Sequence, residues 1–433
     1  MKKIFVLLFS MLILTGTLAY AAYVNDIFEL PYQIEEKQAE SEQILNDGSV
    51  IEKTDSYAVE EQIVQIEEDN NQAIEVTGIS ENVKEFTEEE RILLAKEQTN
   101  CYAYNQLTAD EQKIYIEILW ILVEYQENVK LSSMDKDEIN RIFQCVLNDH
   151  PEIFYVDGYT YTQYTLGDVL KKITFTGTYS ISKEEAEIRK QQIENYVNQC
   201  VAEMPKNADE YGKVKYIYEY LISHTDYDAT VADNQNICSV FLDGRSVCQG
   251  YAKATQYLLQ KIGIAATLVL GTVESGEGHA WNLVQIDGTW YYVDTTWGDA
   301  SYQAIGGEAS YPENKIPTIN YDYLCVTTEQ LCKTHAIKNV VEMPVCAAME
   351  ANYYVREGLY LTSVDEEQLK RIFENGYKQG NAFITLKCSS IAVYEQLQDM
   401  LITQQAIFRY LDCPDGVVSY TDDDKQYSMS FWL

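Results

Sequence analysis

His279-Ala280-Trp281-Asn282-Leu283-Val284-Gln285-Ile286-Asp287-Gly288-Thr289-Trp290-Tyr291-Tyr292-Val293-Asp294 is two strands folded about one turn. Asp-Gly between alternating apolar runs is a strong signal for a two-residue hairpin. If Ile286 pairs with Thr289, counting back sets Trp281 opposite Asp294 and His279 opposite Thr296. Side chains alternate between faces, so His279 and Asp294 then share a face one diagonal step apart, within side-chain reach. A loop longer or shorter by one residue would put them on opposite faces.

Upstream, Gly244-Arg245-Ser246-Val247-Cys248-Gln249-Gly250-Tyr251-Ala252-Lys253-Ala254 leads into Tyr257, Leu258 and Ile262, an apolar stripe that Gly263 ends as a C-terminal cap. Cys248 falls in the first turn of that helix, where unpaired N–H groups and the positive end of the dipole favour a thiolate. Its own N–H is a candidate oxyanion donor. Ala266 to Val273 is a near-continuous apolar strand, and Glu274 to Gly278 a short, acidic, glycine-rich loop. Singly, each group has a bland role: Cys248 as a small packing residue, His279 as a satisfied strand histidine, Asp294 as a strand-end turn residue. Together, in this order, they form a nucleophile, a base and an orienting carboxylate.

Ser246-Val247-Cys248-Gln249-Gly250-Tyr251-Ala252, His279-Ala280-Trp281-Asn282 and Asp294-Thr295-Thr296-Trp297 resemble, in order and spacing, the three signature blocks of the transglutaminase-like superfamily. The likeness runs from about Ala208 to His335. Asp149-His150-Pro151-Glu152 and the helices before it resemble the companion region of exported bacterial members. The resemblance implies a papain-like α+β core with Cys248 as nucleophile, His279 as general base and acid, and Asp294 orienting the imidazole. Trp281, Trp297, Gln249 and Tyr251 are the expected site wall or substrate contacts, with buried core aromatics the competing assignment for the two tryptophans. The family spans transglutaminases, proteases, peptide N-glycanases and inactive members, so the motif fixes chemistry better than substrate. The expected activity is thiol-dependent acyl transfer on peptide or glutamine amides, hydrolysis slightly ahead of transamidation. The alternative is a non-catalytic binder of cell-surface or cell-wall peptide or protein on the same scaffold. Neither cofactor nor metal is implied. His150, His224 and His335 read as loop residues rather than as a second base.

Bulk properties set limits on the partners. The 433 residues carry 68 acidic against 32 basic side chains, a formal charge of −36 that repels nucleic acid and anionic lipid alike. Lys2, Lys3, the apolar stretch Ile4 to Leu14 and Ala19-Tyr20-Ala21 form a secretory signal over 1–21. That stretch is shorter than the roughly 20 residues a spanning helix needs, so export to the cell surface or beyond is expected, with no further membrane contact. Between Tyr23 and Glu90 stand 20 Asp or Glu and 3 Lys without sustained periodicity. The segment 22–98 therefore reads as an acidic linker or pro-segment, mostly disordered.

An N-terminal α+β module is expected over 99–205, opened by the capping box of Thr108 and Glu111. The catalytic core occupies 206–345. A small α/β module over 346–433 shows helical periodicity at 365–375 and 391–402 with strands between and after. The ten cysteines are scattered, and Cys325, Cys332 and Cys346 are close enough in sequence for one bridge. Tyrosine, with 35 copies, reads as packing at strand positions, or as a stacking surface for glycan or peptide.

Overall fold

The computed structural model describes residues 58–65, 86–231, 233–299, 319–412 and 417–433. The signal segment 1–21 lies outside them. A first sheet combines β1 (Ala58–Gln65), β2 (Val129–Lys130), β3 (Val156–Leu166) and β4 (Val169–Tyr179) in the order β1-β3-β4-β2. Thr108 accepts from the Glu111 amide while the Glu111 carboxylate takes the Thr108 N–H, starting the helix Ala109–Glu124. Asp135 caps Lys136–Asp149 through the amides of Asp137 and Glu138. That helix ends ahead of Pro151, whose ring disfavours the α region at His150. The buried Asp149 carboxylate accepts from the Ala103 and Tyr104 amides and from the Tyr115 hydroxyl, anchoring the short helix Tyr102–Gln106.

Two elements fall inside the stretch 22–98 read as a disordered linker: β1, parallel to β3, and the helix Glu88–Glu97 with its Thr87–Glu90 capping box. This corrects that expectation for these residues. β1 pairs with a strand a hundred residues further on, so no local turn marks it, and the helix buries none of its residues. The rest of the stretch lies outside the described residues.

The two-residue strands β5 (Asp226–Tyr227) and β6 (Arg245–Ser246) pair ahead of the helix Cys248–Lys261. Next come β7 (Ala266–Val273), β8 (Gly278–Ile286), β9 (Thr289–Val293), β10 (Leu324–Val326) and β11 (His335–Ile337), an antiparallel sheet ordered β10-β9-β8-β7-β11. Ile286 faces Thr289 and Asn282 faces Val293, the register that the Asp287-Gly288 turn demands; both turn residues have positive φ, 48° and 78°. The helix from Cys248 is buried continuously through Leu259, and its Ala252 packs with Leu268, Leu270 and Ala280 of the sheet. Val269, Trp281, Leu283 and Tyr292 join a separate cluster with Val326 and Leu331.

The C-terminal sheet holds β12 (Tyr360–Leu361), β13 (Phe383–Cys388), β14 (Tyr420–Asp423) and β15 (Ser428–Trp432), in the order β12-β13-β15-β14. With the helices Glu366–Gln379 and Ile391–Gln398 it encloses its own core around Phe373, Leu386, Leu397 and Phe431. The nine described cysteines are all free thiols, so no bridge joins Cys325, Cys332 and Cys346. Nearness in sequence did not become nearness of thiols: Cys325 is buried in β10, whereas Cys332 is exposed at a helix end. Among the described residues no helix is long and apolar enough to cross a membrane.

Gly271 in β7 sits where β11 and Trp281 close in together. A Cβ there would meet the Ala336 carbonyl oxygen at 2.1 Å and a Trp281 ring carbon at 2.5 Å. Because one obstacle is backbone, Gly271→Ala is expected to push β11 outward and cost roughly 2–3 kcal/mol, the usual scale of overpacking. Urea unfolding of the variant measures it, and a loss below about 0.5 kcal/mol would mean β11 yields freely.

Candidate active site

Val247 precedes the Cys248 helix as N-cap residue and supplies no side-chain hydrogen bond to the first turn beside the thiol. The approach is fixed from behind. The Ser246 hydroxyl contacts Ser239 at 2.7 Å and the Asn234 carbonyl at 2.9 Å, and a Cβ on Gly250 would meet Ser246 Oγ at 1.9 Å. Three side-chain ties hold the helix to its surroundings. Asn282 Nδ2 donates to the Ala252 carbonyl at 3.0 Å, Thr255 meets Thr295 at 2.8 Å, and Gln256 donates to the Asn148 carbonyl at 2.8 Å.

His279 Nε2 lies 2.7 Å from Asp294 Oδ2. A carboxylate only accepts, so Nε2 carries the proton and Nδ1 is left for Cys248, which stands within hydrogen-bonding reach of the ring. Asp294 Oδ1 accepts from the Trp297 amide at 3.1 Å, capping the four-residue helix Thr295–Gly298. The imidazole and the carboxylate are both buried. Burial alone would depress His279, but the charge and hydrogen bond of Asp294, with help from Cys248, outweigh it and raise its pKa from 6.5 to about 10. Burial would likewise push Asp294 up, and His279 and His335 together hold it well below the usual carboxylate range.

His335, expected in a loop, is instead the first residue of β11, fully buried, with Nε2 3.1 Å from the same Asp294 oxygen. Burial keeps its pKa below the ordinary value against the pull of Asp294, which favours the neutral ring. Its ring sits between Trp281, at 5.0 Å between centroids, and Trp297, at 4.7 Å. The only sequence hint was scarcity, since the chain has four histidines. The ligand-type atoms of His279, Asp294 and His335 lie within 4.8 Å of one another, as a metal site would need. Each ring, however, already spends a nitrogen on the carboxylate, and the hydrogen bonding closes without an ion.

The other expected residues divide. Trp281 is fully buried, its ring 5.9 Å from that of His279, and Trp297 is half-buried at 6.0 Å. Gln249 and Tyr251 are fully buried. The Tyr251 hydroxyl lies 2.7 Å from both the Thr225 carbonyl and Asp299 Oδ2, tying the Cys248 helix to the segment after Asp294. His150 is paired with Glu152 at 2.6 Å, and His224 stacks on Tyr220.

A thiol at a helix start facing an imidazole that a carboxylate orients from the neighbouring strand end defines a papain-like core. Residues 195–295 match the family model of the transglutaminase-like superfamily. Kyphoscoliosis peptidase of Mus musculus is 25% identical over 151 residues, 31% of this chain and 23% of the mouse protein. The Homo sapiens protein of that name is 24% identical over 130 residues, covering 26% and 20%. The chain thus spans about a quarter or less of the curated relatives it matches. Among solved structures, a TGase superposes at TM-score 0.24 with 16% identity, over 32% of this chain and 50% of that one. The periplasmic domain of TgpA from Pseudomonas aeruginosa gives 0.20 with 18% identity, over 30% and 55%. Both overlaps are partial.

Proposed function

We propose that the protein is an exported thiol-dependent acyl-transfer enzyme acting on peptide or glutamine amides, with hydrolysis favoured over transamidation. The observation that carries this is the His279 imidazole held between Asp294 Oδ2 and Cys248. The Cys248 thiolate attacks the amide carbonyl carbon, and the first-turn N–H groups receive the developing oxyanion. As the tetrahedral adduct collapses, the C–N bond breaks and the His279 imidazolium gives its Nδ1 proton to the departing amine. Neutral His279 then takes a proton from water or from an incoming amine, which attacks the thioester and restores the thiol. Export rests on the leader pattern at 1–21. The preference for water rests on the short loop before His279, where Glu274 and Glu277 are exposed and Glu274 pairs with Lys425 in solvent. The curated relatives are called peptidases, which agrees with hydrolysis.

The decisive experiment is intact-mass trapping with a library of peptides and glutamine-containing donors. Native protein should gain the acyl mass and Cys248→Ala should not; equal adducts on both, or none on either, would refute the assignment. Adding millimolar primary amine then measures partition, with hydrolysed product expected to exceed amide.

A further inference from the structure

The C-terminal sheet meets the catalytic core through the turn between β14 and β15. Asp423 Oδ1 shapes that turn by accepting from the amides of Lys425 and Gln426, and it delivers Gln426 to a buried position. There the Gln426 amide has a fixed sense. Its Oε1 accepts from Lys387 Nζ at 3.2 Å, so its Nε2 points at the Tyr323 hydroxyl, 3.4 Å away. Tyr323 lies 3.4 Å from Thr334 Oγ1, and Thr334 Oγ1 lies 2.8 Å from His335 Nδ1. Since Asp294 only accepts, His335 carries a proton on Nε2, and in the neutral ring Nδ1 is left to accept from Thr334. The arrangement is consistent with donation in one direction, from Gln426 through Tyr323 and Thr334 to His335 and on to Asp294, with the Leu331 carbonyl, 3.4 Å from Thr334 Oγ1, a second acceptor for that hydroxyl.

We propose that His335 is a positioning residue of the Cys248–His279–Asp294 site, its neutral Nε2–H tautomer fixed from the C-terminal sheet by the series Gln426, Tyr323, Thr334. This rests on the acyl-transfer reading for its kinetic consequences but not for its structural ones. Asp294 Oδ2 receives two N–H groups, one from each imidazole, while Oδ1 is taken by the Trp297 amide. The carboxylate therefore cannot rotate, and His279 keeps a single orientation toward Cys248. The charged and titratable groups facing His335 are Asp294, His279 and the Tyr323 hydroxyl. Lys387, paired with Asp322 at 2.6 Å, lies one residue further along, beyond Gln426. The series passes through no group that meets substrate, and His335 is fully buried. Loss of any link should thus lower kcat and leave KM in place.

Three variants separate positioning from mere support: His335→Phe fills the aromatic surroundings without a donor, His335→Gln restores an N–H, and Thr334→Val deletes the hydroxyl that fixes the tautomer. Expected for His335→Phe is a kcat loss of roughly ten- to a hundredfold, the worth of one hydrogen bond to a charged group. KM and the titrated fraction of Cys248 should be unchanged. The alkaline limb of the pH profile should move upward, because the carboxylate no longer shares its charge with a second donor. His335→Gln should recover most of the rate, and Thr334→Val should fall between. Unchanged kcat per titrated site in His335→Phe, or no rescue by Gln, overturns the proposal.

Nitrogen NMR of the four histidines, assigned with the same variants, gives a readout independent of turnover. His335 should be neutral and protonated on Nε2 around neutral pH. An Nδ1–H tautomer or a charged ring there overturns the proposal even if the protein has no acyl-transfer activity, and the predicted tautomer with an inactive native protein rejects only the functional reading.

Discussion

Cys248→Ala and His279→Ala are each expected to lower turnover by at least about a thousandfold while the protein remains folded. The cysteine change removes a single sulfur from a helix whose anchorage runs through Asn282, Thr255 and Gln256, so its stability cost should stay near 1 kcal/mol. Removing the His279 ring leaves a buried carboxylate, but one still satisfied by His335 and the Trp297 amide. Steady-state rates set beside circular dichroism and thermal melts provide the check. Substantial activity in both variants would remove the nucleophile and the base together, whereas an unfolded His279→Ala alone would implicate only the charge balance around Asp294.

Asp294→Asn should be nearly as damaging, for a different reason. Asn keeps an oxygen to cap Trp297, but it sets an amide nitrogen where two imidazole N–H groups now converge. Donor then meets donor, and His279 must move its proton to Nδ1, where it can no longer accept from Cys248. A loss of about a thousand- to ten-thousandfold in kcat/KM follows, as for other triads deprived of their carboxylate. In the native protein the alkaline limb should lie near pH 10, where His279 loses its proton. In the variant it should fall toward the ordinary histidine range. The same charge shows in stability. His279 titrates at 6.5 when free of the fold and at about 10 within it, so its contribution is complete below 6.5 and disappears as pH rises through 10. Urea midpoints across that window should decline for native protein and stay flat for Asp294→Asn. A flat native curve would mean that the ion pair is absent.

The hairpin was legible because an Asp-Gly turn leaves one register, and one register decides which side chains share a face. Helices with capping boxes or a strong apolar stripe were legible for equally local reasons, as were the helix-and-strand alternations after residue 360. His335 was not. It lies in a strand of three residues, and its partner in β7 is Val273, more than sixty positions earlier, so no local period marks it. β1 escaped for a related reason, since its pairing is with β3, one hundred residues on. Gln249 and Tyr251 follow Cys248 in sequence, and a helix turns its successive residues in different directions, so adjacency to the thiol does not by itself place them on one face with it.

In the C-terminal sheet, β15 lies between β13 and β14, yet it is the last of these strands to be synthesised. Until the ribosome has released the chain through Trp432, β14 has nothing to pair with and the turn that carries Gln426 has no frame. A nascent chain can therefore have Cys248, His279 and Asp294 folded into place while the support behind His335 is still missing. On the reading proposed above, full competence would therefore wait on β15, the strand that holds β14 and the Gln426 turn in place.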